Sequence, residues 1–227
     1  MVYNEKLVLF PFDSGAAFAV LQCRVHEFWA RLFSSTLKDD LQYTPTACFD
    51  TFALPPQFTT NDDLEVIGES YLRLRSSVML SNKEGLTETY NRFHDSHEKL
   101  PEILKLRELH AAMDRAVLAA YGWHDLAQTA RCEFLLDYEE EDDGGTSTSR
   151  RKKPWRLRWP DDFRDEVLAR LLELKEQRHK EELLTGKTGK VVETTADTGT
   201  AKKGGRRKKS RPQDDDQQQL GYDDTVE

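Results

Sequence analysis

Apolar positions recur at helical spacing in four stretches of this chain, with polar runs between them. After Ser14, the residues Phe18, Leu21, Val25, Phe28 and Leu32 follow three- and four-residue steps, which is the pattern of one buried helical stripe. The spacing predicts a helix over about 15–34 with Ser14 as its N-cap. Trp29 and Phe33 widen the stripe, whereas Arg24, Glu27 and Arg31 fall off it, toward solvent or a ligand. Ser34, Ser35 and Thr36 end the helix. A second helix is expected over about 62–81, capped by Asn61 or Thr60 and lined by Leu64, Ile67, Tyr71, Leu74 and Val78. Asp62, Asp63 and Glu65 stand in its first turn, where the helix dipole favours negative charge. Pro101 is suited to open a third helix over about 101–121. Leu106, Leu109, Met113, Val117 and Ala120 would line its inner face, and Gly122 would stop it. Phe163, Val167, Leu171 and Leu174 mark a further helix over about 161–184.

The stretches between these helices carry weaker signals. Lys6–Phe10 is a short β-prone run closed by Pro11 and would need a partner strand from later residues or another polypeptide. Lys38, Asp39 and Asp40 form a polar turn. Tyr43–Phe52 reads as extended, and Pro55–Pro56 marks a boundary. The run NKEGLTETYNRFHDSHEKL reads as a polar connector anchored by Tyr90 and Phe93. Residues 138–153 are acidic, then rich in Gly, Ser and Thr, then basic, as in a solvated linker. Beyond Leu184 the composition predicts a disordered tail, including the basic run Lys202–Arg211. The expected fold class is mainly α with a small β element (α+β): a helical scaffold followed by a disordered C-terminal tail. The expected divisions are 1–57, a strand–helix–extended segment; 58–137, a helical scaffold; 138–154, a charged linker; 155–184, a C-terminal helix; and 185–227, the tail.

Composition narrows the functional classes. Hydrophobic residues make up 37% of the 227 residues and charged residues 33%, an apolar share low for one packed domain of this length and unevenly spread. The formal net charge is -8, so any nucleic-acid contact must come from a local basic face or from a partner. Three widely spaced cysteines, Cys23, Cys48 and Cys132, form no CxxC; free thiols in a reducing cytoplasm are the simple reading. No secretory leader and no apolar run long enough to span a bilayer is visible. A cytoplasmic protein is expected, without membrane contact.

No catalytic constellation emerges from the residues. His94, Asp95, His97 and Glu98 give HDSHE, a spacing open to metal ligation, but no HExxH and no distant third ligand accompanies it. A polar loop whose histidines and acids cap nearby backbone accounts for the same residues. No GxSxG elbow flanks a serine. GKTGK at 186–190 lacks the spacing of a phosphate loop. The densest aromatic stretch, Leu21–Pro55, intersperses Phe28, Trp29, Phe33, Tyr43, Phe49 and Phe52 with Arg24, Arg31 and Lys38. That mixture suits a packed core, and it also suits a surface gripping nucleic acid.

Five phrases, in order, carry a family resemblance: LQCRVHEFWARLFSSTLKDDLQYTPTACFDTFALP, NKEGLTETYNRFHDSHEK, LRELHAAMDRAVLAAYGW, CEFLLDYEEE and KKPWRLRWPDDFRDEVLARLLELKEQR. Across about 20–180 the chain resembles the C-terminal part of bacterial N6-adenine DNA methyltransferases. These are class I, S-adenosylmethionine-dependent enzymes of type IIG-like restriction–modification and related phage-defence systems. The resemblance implies that the first phrase closes a target-recognition domain. That domain ends, in the family, in a TFPFP-like phrase that is TFALP here (Thr51–Pro55). It implies that the later helices brace the domain against the methylase core.

The family's core carries a Gly-rich cofactor loop and an NPPY-type tetrad, and neither occurs in this chain. No catalytic, cofactor-binding or metal-binding residue is therefore assigned. S-adenosylmethionine is expected for the complete enzyme, with DNA and a catalytic core on another chain as partners. Arg24, Arg31, Lys38 and Tyr43 are the candidate DNA-facing groups, through phosphate and stacking contacts. Their alternative is a solvated helix face and a core tyrosine. A helical protein-interaction module that binds no DNA, and a non-functional gene remnant, are the rival readings of the whole chain.

Overall fold

A computed structural model of the chain describes residues 8–37, 40–136 and 155–185. Lys38, the whole of the expected linker and the tail from residue 186 onward lie outside the described residues. The protein is mainly α with a small β element. In chain order it runs α1 (Gly15–Gln22), α2 (Arg24–Phe33), a hairpin of β1 (Ser35–Leu37) and β2 (Asp40–Gln42), then α3 (Pro45–Cys48). A 3-10 turn at Phe58–Thr60 precedes α4 (Asp62–Asn82), α5 (Leu86–Phe93), α6 (Pro101–Ala120) and α7 (His124–Thr129). A second antiparallel hairpin, β3 (Glu133–Leu136) with β4 (Trp155–Arg158), leads into α8 (Asp161–Leu184).

The three long helices form where local signals place them. Asn61 accepts the Leu64 N–H at the start of α4, Pro101 takes the first position of α6, and Gly122 turns the chain with φ 81° beyond it. Leu64, Tyr71 and Val78 of α4, Leu106, Met113 and Val117 of α6, and Val167 and Leu171 of α8 are buried. One hydrophobic cluster joins Leu64, Tyr71, Leu106, Met113, Val117, Val167 and Leu171 to Val20, Val25, Phe28 and Trp29 of the first two helices and to Trp159. Side chains from three of the expected divisions thus share one interior. Among the described residues, no helix is long and apolar enough to cross a membrane.

Four expectations need correction. The helix expected over 15–34 breaks at Cys23, whose extended backbone (φ -69°, ψ 163°) separates α1 from α2. Its buried stripe shifts accordingly: Ala16, Ala19 and Val20 are buried, while Leu32 is 50% exposed. The segment Tyr43–Phe52 is not extended throughout, because Pro45 opens the short helix α3. The polar connector contains α5, whose N-cap residue Gly85 donates its N–H to the Glu88 carboxylate. Of the β-prone run Lys6–Phe10, Lys6 and Leu7 lie outside the described residues and Val8–Phe10 forms no strand; Phe10 packs its ring on Phe49 and Tyr43 instead (centroids 5.0 and 6.2 Å). That packing gives its apolar surface a partner without a sheet.

α1 crosses α4 at a glycine pair. A Cβ on Gly68 would lie 1.9 Å from the carbonyl oxygen of Gly15, and one on Gly15 would lie 2.5 Å from the carbonyl oxygen of Glu65. The two backbones approach this closely because neither position carries a side chain. Glu65 completes the joint: its carboxylate accepts the N–H groups of Gly15 and Ala16 at 2.9 and 2.8 Å. These are open donors at a helix N-terminus, and they hold the Glu65 carboxyl below its ordinary value.

Candidate functional site

The break at Cys23 leaves the first residue of α2 facing inward. Arg24 is 3% exposed. Its backbone N–H donates to Asp114 Oδ1 at 2.9 Å and its guanidinium to Asp114 Oδ2 at 2.6 Å. The same guanidinium donates to His110 Nδ1 at 2.7 Å and to the Leu157 carbonyl at 3.0 Å. Asp114 therefore caps α2 from 90 residues away and neutralises its first side chain. Burial alone would raise the Asp114 carboxyl, but the adjacent guanidinium overrides it and holds the group at about 2. The expectation that Arg24 turns toward solvent or a ligand is corrected: its charge is spent inside the fold.

The other three candidates sit apart from it. Arg31 is exposed on α2, 3.0 Å from the Glu27 carboxylate one turn earlier. Lys38 lies outside the described residues. Tyr43 is half-buried, and its hydroxyl shares a 3.0 Å hydrogen bond with His26 Nε2. Burial, with Cys48 and Asp50 nearby, pushes its phenol up to about 12. His26 itself is buried and packs edge-on against Phe52 at 4.6 Å; its Nδ1 finds no hydrogen-bond partner among the described residues. The structure thus joins Tyr43 to a core histidine, with no described contact between it and Arg24 or Arg31.

The HDSHE run is held by its own neighbourhood. His94 Nδ1 accepts the Leu157 N–H at 3.1 Å. Asp95 accepts the His97 N–H, and Glu98 accepts the N–H groups of Lys99 and Leu100 as well as the Arg92 guanidinium. Among the described residues, no group of three or more His, Cys, Asp or Glu side chains converges on a point where a metal ion could sit. Burial pushes the Cys132 thiol up to about 12 and the Cys23 thiol higher still, away from the thiolate that nucleophilic chemistry needs.

Two residues that sequence reasoning passed over organise this region. Asp114 lies on the inner face of α6, one residue from Met113 and three from Val117; an acid at that phase of an apolar stripe demands a buried cation. Leu157, in β4, gives its carbonyl to Arg24 and its N–H to His94, and it faces Phe134 across the hairpin. Periodicity offers no sign of it, since β4 pairs with a strand on the far side of residues 137–154.

Two imidazoles, buried His26 and partly buried His94, make stability depend on pH. Burial lowers His26 to about 4; burial, then the nearby Arg156 charge, lowers His94 to about 4. Between the ordinary value of 6.5 and about 4, the unfolded chain binds protons that the folded chain refuses. Stability is therefore full above pH 6.5 and lost progressively on acidification. His26 should contribute on the order of 3 kcal/mol to this loss by pH 4, and the less buried His94 somewhat less. Urea midpoints measured from pH 7 to 4 should fall steadily, and fall less in His26→Asn; a flat profile would contradict the assignment.

No protein-family model, curated protein or solved structure matches the chain.

Proposed function

We propose that this chain is the DNA-recognition and scaffold portion of a site-specific N6-adenine DNA methyltransferase of restriction–modification or phage-defence type. It acts in the cytoplasm with a separate polypeptide that supplies the catalytic core and the S-adenosylmethionine site. One observation supports this reading most. The five phrases that resemble the methyltransferase family meet around a single residue. Leu157 accepts from Arg24 of the first phrase and donates to His94 of the second. It pairs with Phe134 of the fourth and belongs to the fifth. His110 and Asp114 of the third hold the same guanidinium. Phrases that interlock in this way behave as one bracing unit rather than as scattered coincidences of composition.

DNA contact in this reading falls to two cations of the first phrase, Arg31, which is exposed on α2, and Lys38. Tyr43, tied to His26, positions the segment they flank. Each phosphate contact contributes about -0.9 to the slope of log affinity against log salt.

The test has two arms. Co-expressed with an adenine-methylase core, the chain should co-purify with it, and site-specific methylation should require both polypeptides. Duplex binding by that complex, followed by gel shift over a salt series, should weaken as salt rises, and Arg31→Ala should make the slope shallower by about 0.9. Methylation of DNA by the isolated chain with S-adenosylmethionine would overturn the division of labour. Absent or salt-insensitive DNA binding would favour a protein-interaction module instead.

A further inference from the structure

A cleft of about 630 Å³ opens between the turn that follows α5 and the β3–β4 hairpin. Asn91, His94, Asp95, Ser96 and His97 line one side, and Phe134, Trp155 and Arg156 the other. Trp155 is 57% exposed, an unusual position for an indole, whose large apolar surface ordinarily seeks burial or a partner. The hairpin register sets Leu136 opposite Trp155 and Phe134 opposite Leu157. Side chains alternate along a strand, so Phe134, Leu136 and Trp155 share one face of the hairpin, an aromatic and aliphatic platform beside the cleft.

The opposite wall is fixed before anything binds. The Arg107 guanidinium donates to the carbonyls of Phe93, Arg92 and Asp95 at 2.9, 3.0 and 2.6 Å. Its charge lies 5.2 Å from the centre of the Phe134 ring, which ties the turn to the hairpin. Arg92 is in turn held by Glu84 and Glu98 at 2.8 and 2.6 Å. Because His94 Nδ1 accepts the Leu157 N–H, the proton of the neutral ring sits on Nε2, as a donor. A wall set in this way loses little conformational freedom when a ligand arrives.

The lining chemistry selects among ligands. Among the described residues, no three His, Cys, Asp or Glu side chains converge here as a metal site would need. An aliphatic ligand would leave the Asn91 amide, the Ser96 hydroxyl and the His97 ring facing apolar surface. A flat heteroaromatic ring with polar edges matches both halves: its face on an indole, its edge toward groups that donate and accept. We infer that this cleft binds one unpaired base of a single-stranded nucleic acid, its ring stacked on Trp155. The inference deepens the DNA-recognition reading and rests on it, adding a strand-binding site distinct from the first-phrase cations.

The test uses the full-length chain and a fluorescein-labelled single-stranded oligonucleotide read by anisotropy. Stacking on one aromatic is worth about 1–3 kcal/mol per base, so Trp155→Leu should weaken binding about tenfold or more. Trp155→Phe, which keeps a stacking face, should lose much less. Because the side chain is exposed, both variants should melt within a few degrees of the parent, checked by circular dichroism. DNA, RNA and free mononucleotide are titrated in parallel; a strand source requires that the mononucleotide bind far more weakly. Equal affinity of Trp155→Leu and parent would overturn the site. So would failure of the parent to bind any oligonucleotide while duplex binding by the assembled complex persists, and that result leaves the DNA-recognition reading standing. Loss of duplex binding in the complex, by contrast, removes the reading itself.

Discussion

Asp114→Ala should destabilise the protein by about 3–5 kcal/mol, the usual consequence of removing one partner from a buried ion pair. The carboxylate is 1% exposed and answers both the backbone N–H and the guanidinium of Arg24. Without it the guanidinium remains at 3% exposure, with His110 Nδ1 and the Leu157 carbonyl as neutral acceptors. The first N–H of α2 also loses the Asp114 acceptor. Such a loss is a large fraction of the 5–15 kcal/mol typical of a domain. Arg24→Met combined with Asp114→Leu should recover a substantial part, because apolar replacement of both partners leaves no uncompensated charge. Urea denaturation of the two single variants and the double variant measures the coupling directly. A single-variant loss below about 1 kcal/mol would mean that the pair is solvated rather than buried.

Gly68→Ala should cost about 3 kcal/mol or more, at the upper end of what overpacking does to a well-packed interior. The sign of this prediction is informative. In an open helix the same exchange stabilises by about 1 kcal/mol, since alanine is the better helix former. Here the added carbon would stand 1.9 Å from the Gly15 oxygen and 2.6 Å from its carbonyl carbon, and backbone cannot swing aside as a side chain can. α1 and α4 must separate, which also pulls the Gly15 and Ala16 N–H groups away from Glu65. Val66→Ala, on an exposed position of the same helix (65%), serves as the control and should change stability little. Thermal melting of both variants settles the matter; a higher melting temperature for Gly68→Ala would show that the helices are not in contact there.

The long helices were legible because everything that defines them is local. Asn61, Pro101 and Gly122 mark their ends, and apolar residues at three- and four-residue spacing define their faces. What escaped was set by residues far away in the chain. The kink at Cys23 is stabilised by an acid on α6, and no window around Cys23 contains that acid. α5 and α7 are short and polar, too brief for periodicity to separate them from loop. β3 and β4 are four residues each, and the charged run between them reads as linker whether or not its flanks pair. Arg24 was misplaced for the same reason as the kink: off-stripe phase in an assumed continuous helix pointed it outward. The legible clue was Asp114 itself, an acid inside the expected apolar face of α6.

Arg107 grips the turn after α5 through three carbonyl oxygens, and carbonyls are common to every residue type. With Asp95 and Glu98 holding the turn's own N–H groups, its shape depends little on the other side chains it bears. Asn91, Ser96 and His97 can be exchanged over evolutionary time without loosening the frame that presents them, so preference for one ligand over another can drift there while the architecture stays put.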